Sequence, residues 1–174
     1  DPWTVLDKQG ADAVRWYFYT SSAPWLPSRF YPEAVSEAQR KYMGTLWNTY
    51  AFFCLYADVD NYNPADYDLA TCKLSLMDKW ILSKLNTLID TVDKKLAVYD
   101  ITDSARALQD FSDILSNWYV RRGRDRYWGS EMTEDKAAAY TVLWHVLVTF
   151  AKLTAPYTPF IAEEMYLNLV PAFF

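Results

Sequence analysis

Between positions 77 and 96 apolar side chains return every three or four residues, at Met77, Trp80, Ile81, Leu85, Leu88, Ile89, Val92 and Leu96. A strand would bury such a set only if it alternated with a period of two, so the segment can hide its apolar face only as a helix. Asp78, Lys84 and Asp93 fall on the side expected to face water. The same spacing recurs from Pro32 through Val35, Ala38, Tyr42, Leu46, Tyr50, Phe53 and Ala57, with the proline suited to a first helical turn. It appears again after Asp100, a helix cap, at Ile101, Ala105, Leu108, Phe111, Leu115 and Trp118. That helix is predicted to run to about Trp128, with Arg106 and Asp110 paired across one turn on its outer face. Thr133 can cap the next helix, and Ala137 to Leu153 is apolar almost all round, which predicts a central helix. After Thr154-Ala155-Pro156, Thr158-Pro159 restarts a last helix carrying Glu163 and Glu164 near its start, where carboxylates suit the dipole.

The punctuation agrees with this pattern. Only four glycines occur in 174 residues, too few for the frequent turns of an all-β chain. Asp1-Pro2 suits a helix start, Gly10 interrupts it, Ala11 to Tyr19 reads as a second short helix, and the stretch through Pro27 reads as loop. Asp58 to Asp68 is rich in Asp, Asn, Tyr and Pro and reads as the main internal linker. The predicted fold class is all-α, a helical bundle with short helices at its N-terminal edge.

Composition excludes several functions. The net charge of -5 argues against a protein that coats nucleic acid nonspecifically, while leaving room for a local basic face. Cys54 and Cys72 lack metal-site spacing and are expected as free thiols of an intracellular protein, and His145 has no ligand partner nearby in sequence. It reads as a core histidine. Asp58, Asp60, Asn61, Asn63, Asp66 and Asp68 imitate a calcium loop, but Asn63 stands at the required glycine and Leu69 at the closing glutamate, so turn chemistry is the better account. Glu163 and Glu164 are adjacent and diverge by about 100° on a helix, so they form no acid/base pair. No phosphate-cradling glycine loop is present. No leader and no apolar run near the roughly 18 residues of a bilayer span are expected. The Asp1 start without Met and the Pro171-Ala172-Phe173-Phe174 end read as cut edges of a longer polypeptide.

One cluster carries binding chemistry. Arg121, Arg122, Arg124 and Arg126 are opposed locally only by Asp125, a net +3 that leaves -8 for the rest of the chain. Helical spacing places Trp118, Arg122 and Arg126 in one row and Arg121 and Arg124 in the next, beside Asn117. Guanidinium forks match phosphate oxygens, and aromatic or guanidinium planes stack on unpaired bases, so RNA with an accessible loop fits. A solvated charged face, or cations serving a helix C-terminus, is equally compatible with the spacing.

Five stretches resemble the isoleucyl-tRNA synthetases: DPWTVLDKQGADAVRWYFY at 1–19, LWNTYAFF at 46–53, MDKWILSKL at 77–85, NWYVRRGRDRYW at 117–128 and LTAPYTPFIAEEMYLNL at 153–169. Valine, leucine and methionine synthetases share variants of the first two, whereas the fourth and fifth favour the isoleucine family. The resemblance implies a stem-contact region at 1–28 followed by a helical anticodon-binding domain of the class I synthetase type at 29–174. It implies that the Lys-Met-Ser-Lys-Ser and His-Ile-Gly-His signatures lie outside this chain, so that no catalytic residue and no cofactor belongs to it. ATP with Mg would serve the catalytic domain of the parent enzyme, against which this chain would pack. It implies tRNA(Ile) as partner, a cytoplasmic monomer, and contacts from Arg121, Arg122, Arg124, Arg126, Trp118 and Asn117, with Arg40, Lys41 and Asn48 as further candidates. A valine-type domain and a protein-interaction scaffold without RNA binding are the rivals.

Overall fold

The computed structural model describes residues 1–170, and among them every regular element is helical. The cut edge expected at 171–174 lies outside these residues. Helix α1 (Trp3–Gln9) starts where the Asp1 carboxylate accepts from the Trp3 N–H at 3.0 Å. It is divided from α2 (Ala11–Ser21) by Gly10, whose φ of 84° lies in the left-handed region that a side chain would oppose.

The helix expected from Pro32 is present but not uniform. Helix α3 (Pro32–Gln39) passes through a π turn at Arg40–Gly44 into α4 (Thr45–Val59). A π turn closes i→i+5 hydrogen bonds and shifts the register of the residues after it. Here it buries Tyr42, which stacks on Trp16 with ring centroids 3.6 Å apart and shares a 2.5 Å hydrogen bond with Thr154. The linker after α4 holds one 3-10 turn, Pro64–Asp66. The Asn63 side chain accepts from the Ala65 N–H, the local turn chemistry read from the sequence.

Helix α5 (Leu76–Ala97) packs along α6 (Ile101–Ile114). Asp100 caps α6 as expected, accepting from the Asp103 N–H. The expected Arg106–Asp110 pair does not form: Arg106 lies 3.9 Å from Asp103 and donates to the Thr20 carbonyl oxygen near the end of α2. A fixed acceptor at a helix end outcompetes a mobile exposed carboxylate. Past α6 a second π turn (Leu115–Val120) leads into one turn, α7 (Arg121–Gly123), and a 3-10 turn (Arg124–Tyr127).

Helix α8 (Glu134–Thr154) is the central one, with Ala138, Tyr140, Leu143, Val146, Leu147 and Phe150 fully buried. Against expectation, it is long and apolar enough to cross a membrane, with a mean hydropathy of 1.3, but 72% of that window is buried inside the bundle. Its neighbours cover the face that lipid would. The Thr133 side chain accepts from the Lys136 N–H at 3.1 Å. Replacing Thr133 with alanine should cost about 1 kcal/mol, seen as a lower urea midpoint at unchanged slope.

Helix α9 (Pro159–Leu169) is capped from afar: the Asp12 carboxylate accepts the Ile161 N–H at 2.8 Å. Arg15 donates to the carbonyl oxygens of Pro156 and Tyr157, and Trp16 lies in the main core. Helix α2 is therefore fastened to the main core, while Val5 of α1 joins Ala13, Tyr17 and Val35 in a second, smaller cluster.

Candidate nucleic-acid interface

The candidate interface lies where the α6 helix line changes pitch. In the π turn Leu115, Tyr119 and Val120 turn into the core while Asn117 and Trp118 face solvent. Arg121, Arg122 and Arg124 come next, all outside the core, and none forms an ion pair among the described residues. The Arg122 guanidinium lies over the Trp118 ring at 4.5 Å from its centroid, and Trp118 remains half exposed. This stacks a cation on an aromatic plane without using up the fork edges of the guanidinium.

A second face closes the site. Asn48, Thr49 and Phe52 of α4 stand opposite Ser116, Asn117, Val120, Arg121 and Arg124 across an open cleft of about 310 Å³. Phe52 forms part of its wall, with the Arg124 guanidinium 5.7 Å from the ring centroid. The cleft thus combines two side-chain amides, two hydroxyls, two cations and an aromatic ring. Such a set can bind a planar ring with polar edges while the cations meet neighbouring phosphates.

Arg126 is not in this set, a correction to the expected row with Trp118 and Arg122. The α-helix ends at Gly123, and the tighter 3-10 turn swings Arg126 inward, where only 16% of its side chain is exposed. Its guanidinium binds Asp78 at 2.8 and 2.9 Å and Asp135 at 2.9 Å. Asp78, expected on the wet face of α5, is wholly buried. Its carboxylate also accepts from the Tyr119 hydroxyl at 2.5 Å, from the Ser75 hydroxyl at 2.7 Å and from the Ser75 N–H at 2.9 Å. Burial alone would raise the pKa of Asp78, but the bonds from Arg126, Tyr119 and Ser75 prevail and hold it below the usual carboxylate value. Burial, with Tyr127 and Asp78 nearby, pushes the Tyr119 hydroxyl well above its usual value, which keeps it a donor.

The other candidates divide. Asn48 joins the cleft, and Arg40 is exposed without an ion pair among the described residues. Lys41 pairs with Glu37 at 2.7 Å and lines a different recess, beside Arg106 and Gln109. His145 is half buried, and burial lowers its pKa. Both cysteines are free and partly buried. Among the described residues no cluster of three or more His, Cys, Asp or Glu could hold a metal ion.

Sequence reasoning missed Asp78, Tyr119 and Asp135, and Phe52 on the cleft wall. Two signals were available. Ser75-x-x-Asp78 before an apolar run is a capping box, here complete in both directions, and Phe52 stands off the apolar stripe of its helix.

The fold matches the synthetase bundle. Methionyl-tRNA synthetase of Mycobacterium tuberculosis, solved with methionyl-adenylate, superposes over 98% of this chain and 34% of its own, with a TM-score of 0.78 at 17% identity. Residues 78–171 match the family model of the anticodon-binding domain of tRNA ligase, and the chain belongs to that family. The isoleucine–tRNA ligase of Clostridium novyi is 56% identical over 170 residues, and that of Clostridium acetobutylicum 57% over 171, each covering 98% of this chain. That of Bacteroides thetaiotaomicron is 46% identical over 173 residues. The chain spans 16% of the length of the two clostridial enzymes.

Proposed function

We propose that this chain is the tRNA-binding part of an isoleucine–tRNA ligase, which holds the anticodon arm of tRNA(Ile) while the rest of the enzyme uses ATP and Mg to activate isoleucine and charge the tRNA. The specificity rests on the identity to isoleucine enzymes across nearly the whole chain. The binding surface rests on one observation: Arg121, Arg122 and Arg124 stand outside the core without an ion pair among the described residues, and Arg121 and Arg124 line a cleft that also holds Asn48, Asn117 and Phe52. On this reading Arg121 and Arg124 take phosphates beside the cleft, and the Trp118–Arg122 stack offers a plane to an unpaired base. Asn48 and Asn117 supply hydrogen bonds to a base edge. Arg40 is an outlying phosphate contact, and Lys41 contributes only if it leaves Glu37. Residues 1–28 serve as the stem-contact part and 29–174 as the anticodon-binding domain of a cytoplasmic, monomeric enzyme.

The three arginines placed on phosphates, Arg121, Arg124 and Arg40, set the scale of the test. Binding of an anticodon-arm hairpin should weaken with salt along a log–log slope of about -2 to -3, at roughly 0.7 to 0.9 per phosphate. Fluorescence anisotropy over a salt series measures this. Binding that ignores salt, or no binding at low salt, would overturn the assignment of the arginine face.

A further inference from the structure

The three clustered arginines that meet RNA on this reading, Arg121, Arg122 and Arg124, sit between two residues that point the other way. Tyr119 precedes Arg121, Arg122 and Arg124 in the chain and Arg126 comes after them, and both side chains end on the same carboxylate, Asp78. Asp78 lies on another helix, wholly buried, and is itself held by Ser75 in the capping box of α5. The arc from 119 to 126 includes a π turn, one α turn and a 3-10 turn, so no uniform helical ladder sets the angles at which its arginines project. Beside the buried Val120 and Tyr127, two polar fastenings tie the arc to one buried carboxylate.

We propose that Asp78 is a positioning and specificity-determining residue of the RNA interface: it anchors both ends of the arginine arc and withholds Arg126 from the surface. The inference rests on the reading of that arc as the RNA-contacting face. Arg126 keeps 16% of its side chain exposed, on the side of its outer neighbour Asp135, which has 58% of its own side chain exposed. Asp135 also holds the guanidinium, through both carboxylate oxygens and its carbonyl oxygen, but that carboxylate faces water, and only the Asp78 pair lies away from solvent screening. With that charge removed, the cation is left half-paired near the surface, and burial of an uncompensated charge drives it outward toward water or phosphate. An arc so released gains a fourth mobile cation and loses its fixed angles. Affinity for any RNA is then kept or raised by charge, while discrimination, which needs fixed geometry, falls.

The test uses the chain with Asp78→Asn and with the double change Asp78→Asn/Arg126→Gln, anticodon-arm hairpins of isoleucine and of an unrelated tRNA as probes, and circular dichroism to confirm folding. For Asp78→Asn the salt slope should steepen by about 0.7 to 0.9, one extra phosphate, and the preference for the isoleucine hairpin should drop roughly tenfold. The double variant should return the slope to that of the unaltered chain while the preference stays low. A simple loss of stability would lower the folded fraction without steepening the slope. Unchanged slope and preference in folded Asp78→Asn would overturn the proposal. If that variant does not fold, the double variant decides: a slope shallower than the unaltered chain's would show Arg126 already on phosphate and overturn it, and an equal slope with reduced preference supports it. Failure of the unaltered chain to bind either hairpin would strike the proposed function instead.

Discussion

Asp78→Ala should lower the free energy of unfolding by about 3–5 kcal/mol, the cost of stranding one member of a buried ion pair. This is a large part of the roughly 5–15 kcal/mol that holds a domain together. The Arg126 guanidinium would keep only Asp135, whose side chain is largely exposed, and the Tyr119 hydroxyl would be buried without its acceptor. The effect carries a pH signature. Asp78 has a folded pKa below its unfolded value of about 3.9, so its contribution is complete above that pH and disappears as the pH falls through the folded value. Urea denaturation at a series of pH values should show the gap between the parent chain and Asp78→Ala wide and constant from about pH 5 to 7, and closing below about pH 4. A gap below about 1 kcal/mol at pH 7 would mean that the pair contributes little more than an exposed one.

Arg121→Ala combined with Arg122→Ala should weaken binding of an anticodon-arm hairpin by roughly a hundredfold. Each charged contact is taken at about 1.5 kcal/mol, the low end for hydrogen bonds to ionised groups in view of the exposure, and the sum of about 3 kcal/mol converts to that factor. The fold should be indifferent, with stability within about 0.5 kcal/mol of the parent, because neither side chain forms an ion pair among the described residues and both are exposed. Arg122→Lys separates charge from shape: it keeps the cation but loses the plane that covers Trp118. Measured in low salt, equal affinity with and without the two arginines would remove them from the interface.

Helix positions were readable because the information is local. The caps Asp100 and Thr133 sit within three residues of the N–H groups they satisfy, and the apolar stripes repeat within single helices. The arginine cluster was readable for the same reason, as a run of like charge in six residues. The pitch changes were not. A π turn or a 3-10 turn differs from an α turn by one hydrogen-bond step, and no residue type in Leu115–Val120 or Arg124–Tyr127 demands it. Because that pitch decides where Arg126 points, the expected row of three became a stacked pair at the surface and one inward cation.

By itself the sequence determined an all-helical bundle, with α8 enclosed by the others, and the one stretch where positive charge gathers on an acidic chain. Tertiary structure alone decided which of those charges stay available. Asp78 carries the same periodicity mark as any solvent-facing carboxylate, and only the crossing of α5 with the Tyr119–Arg126 arc buries it and supplies its donors. Likewise Asn48 and Asn117 face one cleft only because α4 lies against the π turn, and Asp12 caps α9 from 149 residues away in the chain. Periodicity reports which face of a helix is apolar, but a buried charge is stable only beside its partner, and that partner comes from a distant part of the chain.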